Sequence, residues 1–274
     1  MTNGTTPPDH DGYIAAMPSR SFLLVTGLLR DVGELTAFAG RFFRQAVHAR
    51  FEWREFMRQC FINGTLTLPL VGITAFIMGL VLTVQSRPTV ERFGATSMLP
   101  AMVAISVVRE IAPVITAIIG AGKIGSSMGA ELGSMKVTEQ IDAMRALGTD
   151  PIQKLVTPRV IAMATVLPLL VIIADFMGVV GGFLISYFLL SLTPGQYWQS
   201  VWTALEWNDV AQGLLKPFVF AFAISLVGCF YGLRTTGGTQ GVGHATTQAM
   251  VVASVLCFIL TFFITKIFVS SVAY

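Results

Sequence analysis

The sequence has little charge, few cysteines and few histidines, and each shortage excludes a class of protein. Only 12% of the 274 residues are charged, which is about half the share in a soluble domain and excludes a soluble enzyme. The cysteines, Cys60, Cys229 and Cys257, are scattered and show neither metal-ligand spacing nor an even disulfide framework. The three histidines have no acid or cysteine at ligand spacing and belong to no Ser-His-Asp arrangement. We therefore expect no metal site and no catalytic residues.

Nucleic-acid binding and nucleotide binding are also unsupported. A net charge of +3 is too weak for a nucleic-acid partner. Residues 120–125 satisfy G-x-G-x-x-G, but they follow a predicted membrane helix, and Ile124 stands where a Walker A loop needs Ser or Thr. We expect no cofactor in this chain, so that any ATP is bound by a separate ATPase. The better interpretation is a helix-packing face of small residues at four-residue spacing, formed by Gly125, Gly129 and Gly133.

What the sequence has instead is long apolar runs. Hydrophobic residues make up 54% of the chain, and their runs are continuous, which predicts membrane helices rather than a barrel. We predict five transmembrane helices, at residues 66–85, 99–121, 160–190, 214–233 and 249–269. The third run has 31 residues, more than the roughly 20 that a bilayer needs. It is either one tilted or protruding helix, or two half-helices that meet at Gly178, Gly181 and Gly182.

The first 62 residues are predicted to lie outside the bilayer. Residues 1–19 are polar and contain three prolines, which indicates a disordered tail without a cleaved signal peptide. Residues 20–62 place apolar side chains at helical spacing among arginines, which predicts an interfacial, elbow-like amphipathic helix on an anionic leaflet. Packing of that helix on a soluble partner is the alternative. Residues 63–274 then form the five-span domain.

Lys and Arg are distributed unevenly among the predicted connections. Thirteen lie before residue 65, in segment 122–159 or in the last interspan turn, whereas the 86–98 loop has two and residues 191–212 have none. By the positive-inside rule, the N-terminus and segment 122–159 are cytoplasmic. With five spans, the C-terminus faces the opposite side of the membrane.

The longest polar interruption, residues 131–151, carries an apolar stripe at helical spacing, made of Val137, Ile141, Met144 and Leu147. Gly148 follows the stripe as a C′ glycine, and Pro151 prevents continuation. We predict one amphipathic helix over 131–148. A solvated connector is the alternative, but a helix so long is not needed to turn a corner, which favours a docking surface for a soluble partner.

Two acids, Glu110 and Asp175, lie well inside predicted spans; Arg109 is adjacent to Glu110, and Lys216 stands near the outer end of the fourth span. An acid at the centre of a membrane helix costs about 2.5–3.5 kcal/mol, so such groups face a bundle interior or an aqueous cavity. Pro113 leaves the carbonyl of Arg109 without its helical donor, which predicts local unwinding. For Asp175 we favour a structural charge network.

Residues 142–151, DAMRALGTDP, resemble the cytoplasmic EAA…G loop of ABC importer permeases, whose coupling helix sits in a groove of the ATPase. The longer runs VVREIAPVITAIIGAGKIGSSMGAELGSMKVTEQIDAMRALGTDP and GCFYGLRTTGGTQGVGHATT resemble the MlaE/YrbE permease family, the membrane subunits of MCE-type lipid transporters. The likeness extends over roughly residues 50–270.

This resemblance implies a homodimer around a lipid cavity, two copies of an ABC ATPase, and a hexameric periplasmic MCE-domain protein. It implies phospholipid contacts at Arg109, Glu110, Lys216 and Gln85. The implied ATPase-coupling residues are Glu131, Glu139, Asp142, Met144, Arg145, Leu147 and Gly148. The family's actinobacterial branch tends to lack the charged pair, which favours phospholipid over sterol. Two alternatives stay open: a proton-coupled secondary transporter that uses Glu110 or Asp175, and a non-transporting anchor for an MCE assembly.

Overall fold

The computed structural model describes residues 20–46 and 52–272. Throughout these ranges the regular structure is helical, and five helices are long and apolar enough to cross a membrane. The prediction of an all-α integral membrane protein with five spans is therefore confirmed. The expected disordered tail at residues 1–19 and the C-terminal Tyr274 lie outside the described residues.

The described residues form ten α-helices: α1 Arg20–Ala46, α2 Trp53–Arg92, α3 Leu99–Ser106, α4 Ala112–Gly120, α5 Ser126–Val137, α6 Gln140–Ala146, α7 Thr157–Leu190, α8 Pro194–Ala204, α9 Trp207–Leu233 and α10 Gly238–Val272. Three π-helical turns, Val107–Ile111, Ala121–Gly125 and Ile152–Val156, join α3 to α4, join α4 to α5 and lead into α7. A 3-10 turn, Thr96–Met98, precedes α3. The π turns let α3, α4 and α5 continue one another as a single long membrane helix.

The bounds of the spans differ from the prediction mainly because the helices project beyond the bilayer. Helix α2 has 40 residues and is about 60 Å long, so it absorbs both residues 53–62 of the expected elbow and most of the expected 86–98 loop. Pro88 lies inside it, and an ion pair between Arg87 and Glu91, one turn apart, supports the helix beyond that proline. Helix α9 likewise begins at Trp207, earlier than the predicted 214.

The 31-residue apolar run forms one continuous helix, α7, rather than two half-helices. Its glycines are explained by close packing against α2, the most extensive helix pair of the fold. A Cβ added at Gly79 would overlap the carbonyl oxygen of Gly178, and one added at Gly181 would overlap the carbonyl oxygen of Phe76. The glycines therefore bring two backbones together instead of breaking a helix.

A second close contact joins α5, α9 and α10. A Cβ at Gly125 would lie 3.1 Å from the Ile224 side chain, and one at Gly133 would lie 2.8 Å from the Thr235 hydroxyl. A Cβ added at Gly129 would lie 3.5 Å from the Cβ of Ala249 on α10 and 3.6 Å from the carbonyl oxygen of Gly228 on α9. The small-residue face predicted along this segment thus lies at the meeting point of three helices.

Helix α1 is amphipathic and lies outside the five spans. Its Phe38 and Phe42 are buried, and the Phe38 ring lies 5.8 Å from that of Phe230 on α9. Glu34 adds an ion pair of 2.6 Å with Arg234 just after α9. The helix is therefore fixed to the end of α9.

The expected single helix over 131–148 is wrong, because the chain turns at Thr138 and Glu139. Helix α5 ends at Val137, and Glu139 adopts φ 58°, in the left-handed region, before α6 begins at Gln140. Lys136 and Asp142 form a 2.6 Å ion pair across this corner. Residues six apart lie on different faces of a straight helix, so this ion pair depends on the turn.

Candidate functional site

An ion pair joins the π-helical turn Val107–Ile111 to α9 and combines a buried lysine with a partly exposed acid. The Lys216 ammonium, on α9, lies 2.6 Å from Oε1 of Glu110, and the Lys216 side chain is fully buried. The same Glu110 oxygen accepts a 2.8 Å hydrogen bond from the Thr265 hydroxyl on α10. Glu110 thus receives two donors from two helices, α9 and α10.

Arg109 makes a separate ion pair with Asp209 in the first turn of α9. The Asp209 side chain is 2% exposed, whereas that of Arg109 is 43% exposed. The second carboxylate oxygen of Asp209 accepts a hydrogen bond from the backbone N–H of Glu206 at the start of α9. Asp209 therefore fixes one side of the guanidinium and leaves much of it facing outward.

The π-helical turn has an identifiable cause. Pro113 has no N–H to donate to the carbonyl of Arg109, and Lys216 donates a 2.6 Å hydrogen bond to that oxygen instead. Gly213 permits the close approach of α9, because a Cβ there would lie 2.7 Å from the carbonyl of Val108. The unwinding expected at Pro113 thus takes the form of a π turn that a lysine from another helix satisfies.

This charge cluster opens into a cavity of about 410 Å³. Polar groups of Arg109, Glu110 and Gln212 line one part of it, and Ile105, Ile111, Thr265 and Val269 are among the remaining lining residues. Arg109 is the cation among these lining residues, whereas Lys216 lies behind them. A guanidinium beside apolar walls suits a ligand with an anionic head and apolar tails. The cluster of Arg109, Glu110 and Lys216 expected from the sequence is brought together here.

Two members of the cluster were missed by the sequence analysis, Asp209 and Thr265. Asp209 stood in what was predicted to be a loop, and the available signal was Glu206 and Asp209 at capping-box spacing before an apolar run. Thr265 resembles any other hydroxyl in an apolar span, and its sequence position gives no signal.

Gln85 and Asp175 do not belong to the cluster. Gln85 is exposed near the end of α2 and does not line the cavity. The preferred interpretation of Asp175 as part of a charge network is wrong for the described residues, because no ion pair reaches it and its Oδ1 is buried without a hydrogen-bond partner.

The corner between α5 and α6 presents the residues expected to couple to a soluble partner. Glu139, Asp142 and Arg145 are exposed, and Asp142 accepts hydrogen bonds from both Lys136 and Arg145. The hydrogen bond from Lys136 lowers the pKa of the Asp142 carboxyl below its ordinary value. This corner is therefore a fixed, charged protrusion on the side that carries most of the cations.

Helix α6 ends in a Schellman motif, as expected for a glycine at C′. Gly148 adopts φ 74°, its N–H donates to the carbonyl of Arg145, and the N–H of Thr149 donates to that of Met144. Leu147, just before the glycine, is 83% exposed, whereas Ile141 is fully buried. Since a large apolar side chain held out by a rigid turn is a suitable anchor for a partner, Leu147 is the main docking candidate.

Glu131 lies apart from this corner. One carboxylate oxygen lies 3.0 Å from the guanidinium of Arg58 on α2, and the other lies 3.0 Å from the guanidinium of Arg159 on α7. Glu131 therefore braces three helices in this structure, and it is not brought together with Glu139 or the residues of α6.

The family model and the similar proteins all indicate the same permease family. The family model described as "Permease MlaE" matches residues 56–267. A probable ABC transporter permease protein of Rickettsia typhi is 43% identical over 211 residues, which cover 77% of this chain and 82% of that protein. The chloroplastic protein TRIGALACTOSYLDIACYLGLYCEROL 1 of Arabidopsis thaliana is 35% identical over 230 residues, covering 84% of this chain and 66% of that protein. The intermembrane phospholipid transport system permease protein MlaE of Haemophilus influenzae is 31% identical over 212 residues, covering 77% and 81% respectively.

Proposed function

This chain belongs to the MlaE permease family, and on that premise we propose that it moves phospholipid in a complex energised by a separate ABC ATPase. It is a multi-pass membrane permease subunit. The phospholipid substrate is supported by the name of the Haemophilus relative and by the site itself. The partner ATPase is supported by relatives named as ABC transporter permeases.

The observation that carries the phospholipid proposal is the half-exposed guanidinium of Arg109 beside an open cavity. Asp209 positions the guanidinium, and a phosphodiester oxygen is a strong acceptor for the donors that face the cavity. Behind it, the positive charge of Lys216 is balanced by Glu110. The site therefore needs only one anionic group from the ligand, which pairs with Arg109. Apolar lining residues such as Ile105 and Ile111 accept the start of the acyl chains.

Coupling to the ATPase occurs through the α5–α6 corner. Leu147 and Met144 serve as apolar anchors, while Glu139, Asp142 and Arg145 steer the approach. Because α5 continues through the π turns into α4 and α3, a push on this corner is transmitted along one long helix to Arg109 and Glu110. ATP-driven closure of two ATPase subunits would thus open or squeeze the lipid cavity.

The assembly and orientation belong to the same proposal. The chain forms a homodimer in the bacterial inner membrane, with N-terminus and α5–α6 corner in the cytoplasm and C-terminus in the periplasm. A hexameric MCE-domain protein receives or delivers the lipid on the periplasmic side. The Lys/Arg distribution supports the orientation, and the family resemblance supports the partners.

One observation favours a second candidate, a proton-coupled transporter. Asp175 lies within α7 with an unpartnered, buried Oδ1, and unpaired acids in membrane spans are frequent proton carriers. This candidate predicts lipid movement by the purified chain alone under a pH gradient. The ATPase-driven account predicts none without ATP.

Lipid occupancy of the site tests the phospholipid assignment. Glu110→Gln keeps size and hydrogen bonding but removes the charge, so the phospholipid that co-purifies per dimer should change while the dimer stays intact. Ser254→Ala on α10, whose hydroxyl only bonds its own helix, is the matched control and should leave occupancy unchanged. A lowered melting temperature with unchanged lipid in Glu110→Gln would refute the assignment.

A further inference from the structure

A second polar site lies at the cytoplasmic end of the membrane domain, in a groove between α2 and α5. The groove has a volume of about 430 Å³ and is lined by Gln59, Asn63, Ser127, Glu131 and apolar neighbours that include Ile62. On α2 three polar residues four positions apart, Glu55, Gln59 and Asn63, form a hydrogen-bonded row. The Asn63 amide donates a hydrogen bond to Gln59, and the Gln59 amide donates one to Glu55. This row is largely buried, with Gln59 and Asn63 only 4% and 6% exposed.

A second polar row faces it from the π turn Ala121–Gly125 and α5. Lys123, Ser127 and Glu131 also stand four apart, so they share one face of the helix. The Lys123 ammonium donates to the carbonyl of Leu66 on α2. Lys123 is not itself a lining residue of the groove but lies about one helical turn beyond Ser127 and Asn63, which line it. Lys123 and Ser127 are exposed.

The charges around the groove do not cancel. Among the described residues that form ion pairs or hydrogen bonds at the groove, Arg58, Arg159 and Lys123 are opposed by Glu55 and Glu131: Arg58 is shared by the two acids, and Arg159 pairs with Glu131. Lys123 contacts a neutral carbonyl, so one positive charge is in excess. A single anion placed near Lys123 and Ser127 would balance it.

An apolar track leads from the groove into the bilayer. Leu66, Leu70 and Ile73 on α2 are 60%, 49% and 60% exposed, and they continue the ridge that starts at Ile62, a groove residue. The polar row itself ends at Thr67, whose buried hydroxyl has no partner, and the same face continues with the buried, apolar Val71 and Ala75. The groove therefore offers no polar contacts beyond Thr67, but its exposed apolar ridge can contact acyl chains in the bilayer.

From this arrangement we infer that the groove binds the anionic phosphodiester of a phospholipid from the cytoplasmic leaflet. Lys123 and Ser127 donate to the phosphate, the Asn63 and Gln59 amides hydrogen-bond the rest of the headgroup, and the acyl chains follow the ridge from Ile62 to Ile73. The site is distinct from the Arg109–Glu110–Lys216 cluster. It rests on the proposed function only for the cytoplasmic orientation of this end.

Photo-crosslinking to lipid tests the inference. A photoreactive amino acid is placed at Ile62 in the groove or, as a reference for general lipid contact, at Ile77, a 49%-exposed residue of α2. The full chain is reconstituted in nanodiscs of phosphatidylethanolamine and phosphatidylglycerol with a trace of acyl-tagged phosphatidylglycerol. The readout is the ratio of tagged lipid captured at Ile62 to that captured at Ile77.

Removing the excess charge should lower that ratio. Lys123→Gln is expected to reduce it about five-fold, the effect of roughly 1 kcal/mol for one basic residue near an anionic surface. Lys123→Arg should restore it. Lys154→Gln removes an exposed cation outside the groove, and Glu110→Gln alters the other cluster, so neither should change it.

An unchanged ratio in Lys123→Gln overturns the inference. So does crosslinking of Ile62 to a protein partner, or Lys123-dependent binding of inorganic phosphate by lipid-free protein in equilibrium dialysis, which assigns the groove to a soluble anion. A Lys123-dependent ratio in a chain that fails every ATP-dependent transport assay would support the groove and refute the proposed function alone.

Discussion

The Lys216 ammonium lies 2.6 Å from the main-chain carbonyl oxygen of Arg109, the acceptor that Pro113 deprives of its α-helical donor. The same ammonium lies 2.6 Å from the Glu110 carboxylate. One side chain from α9 thus satisfies both a backbone defect and a membrane-embedded acid on the neighbouring helix. This makes the pair a structural element as well as part of the candidate site.

Removing Lys216 should therefore destabilise the protein. Lys216→Met leaves Glu110 and the Arg109 carbonyl without their donor, and breaking a buried ion pair costs about 3–5 kcal/mol. Glu110 is 39% exposed, so we expect the lower end, about 3 kcal/mol. The double variant Lys216→Met with Glu110→Gln should recover part of that loss. Thermal melting in detergent measures Lys216→Met, Glu110→Gln and the double variant, and additive effects of the two changes would contradict direct pairing.

Much of this site could be predicted from the sequence, because a charge in an apolar run is conspicuous and its cost is known. Pro113 indicated that the Arg109 carbonyl needs another donor. Neither feature indicates which helix supplies that donor. Asp209 and Thr265 reach the site only because α9 and α10 pack against the π turn, and the sequence does not reveal that packing. The partners of a buried charge depend on tertiary contacts that local patterns do not contain.

The error at 131–148 and the alternatives left open at Gly178 have the same origin. Val137, Ile141, Met144 and Leu147 fit one helical stripe, but the Lys136–Asp142 ion pair stabilises a turn that periodicity cannot reveal. The glycines of α7 were compatible with a break or with close packing, and contact with Gly79 decides for packing. The number and order of the spans were predictable because hydropathy alone determines them.

Glycines on α2 provide a test of that packing. Gly79→Ala introduces a methyl group that overlaps the carbonyl of Gly178, so α2 and α7 must separate at a cost of about 1–3 kcal/mol. Gly72→Ala on the same helix meets only the Met177 Cγ at 3.9 Å and should be neutral or slightly stabilising. Melting temperatures of the two purified variants check this, and equal values would exclude a close α2–α7 crossing at Gly79.

The docking corner should depend more on Leu147 than on any single charge. Leu147→Asp removes an 83%-exposed apolar anchor and should lower recovery of the ATPase with the tagged chain about ten-fold, which corresponds to 1.4 kcal/mol. Met144→Asp should also be severe. Glu139→Lys, Asp142→Lys and Arg145→Glu should have smaller effects that fade at high salt. The control is Phe93→Asp, which changes an exposed residue in the loop that connects α2 to α3, on the other side of the predicted membrane. A similar loss of ATPase recovery in this variant would refute the coupling assignment.

Cysteine labelling should place the α5–α6 corner and the α9–α10 turn on one side. Asp142→Cys and Thr239→Cys are expected to react only with reagent on the cytoplasmic side, and Gln196→Cys only with reagent outside. Cys229 and Cys257 are buried, so they contribute little background, and Cys60 is replaced by serine. Labelling of Gln196→Cys and Asp142→Cys from the same side would contradict the five-span orientation.

The most direct test of the central claim is lipid transport by proteoliposomes that contain the chain together with its ATPase and MCE partners. The account predicts movement of tagged phospholipid to or from the MCE protein that requires ATP hydrolysis and is lost in Leu147→Asp. It predicts no movement by the chain alone under a pH gradient. Transport by the chain alone, driven by that gradient and abolished by Asp175→Asn, would contradict it.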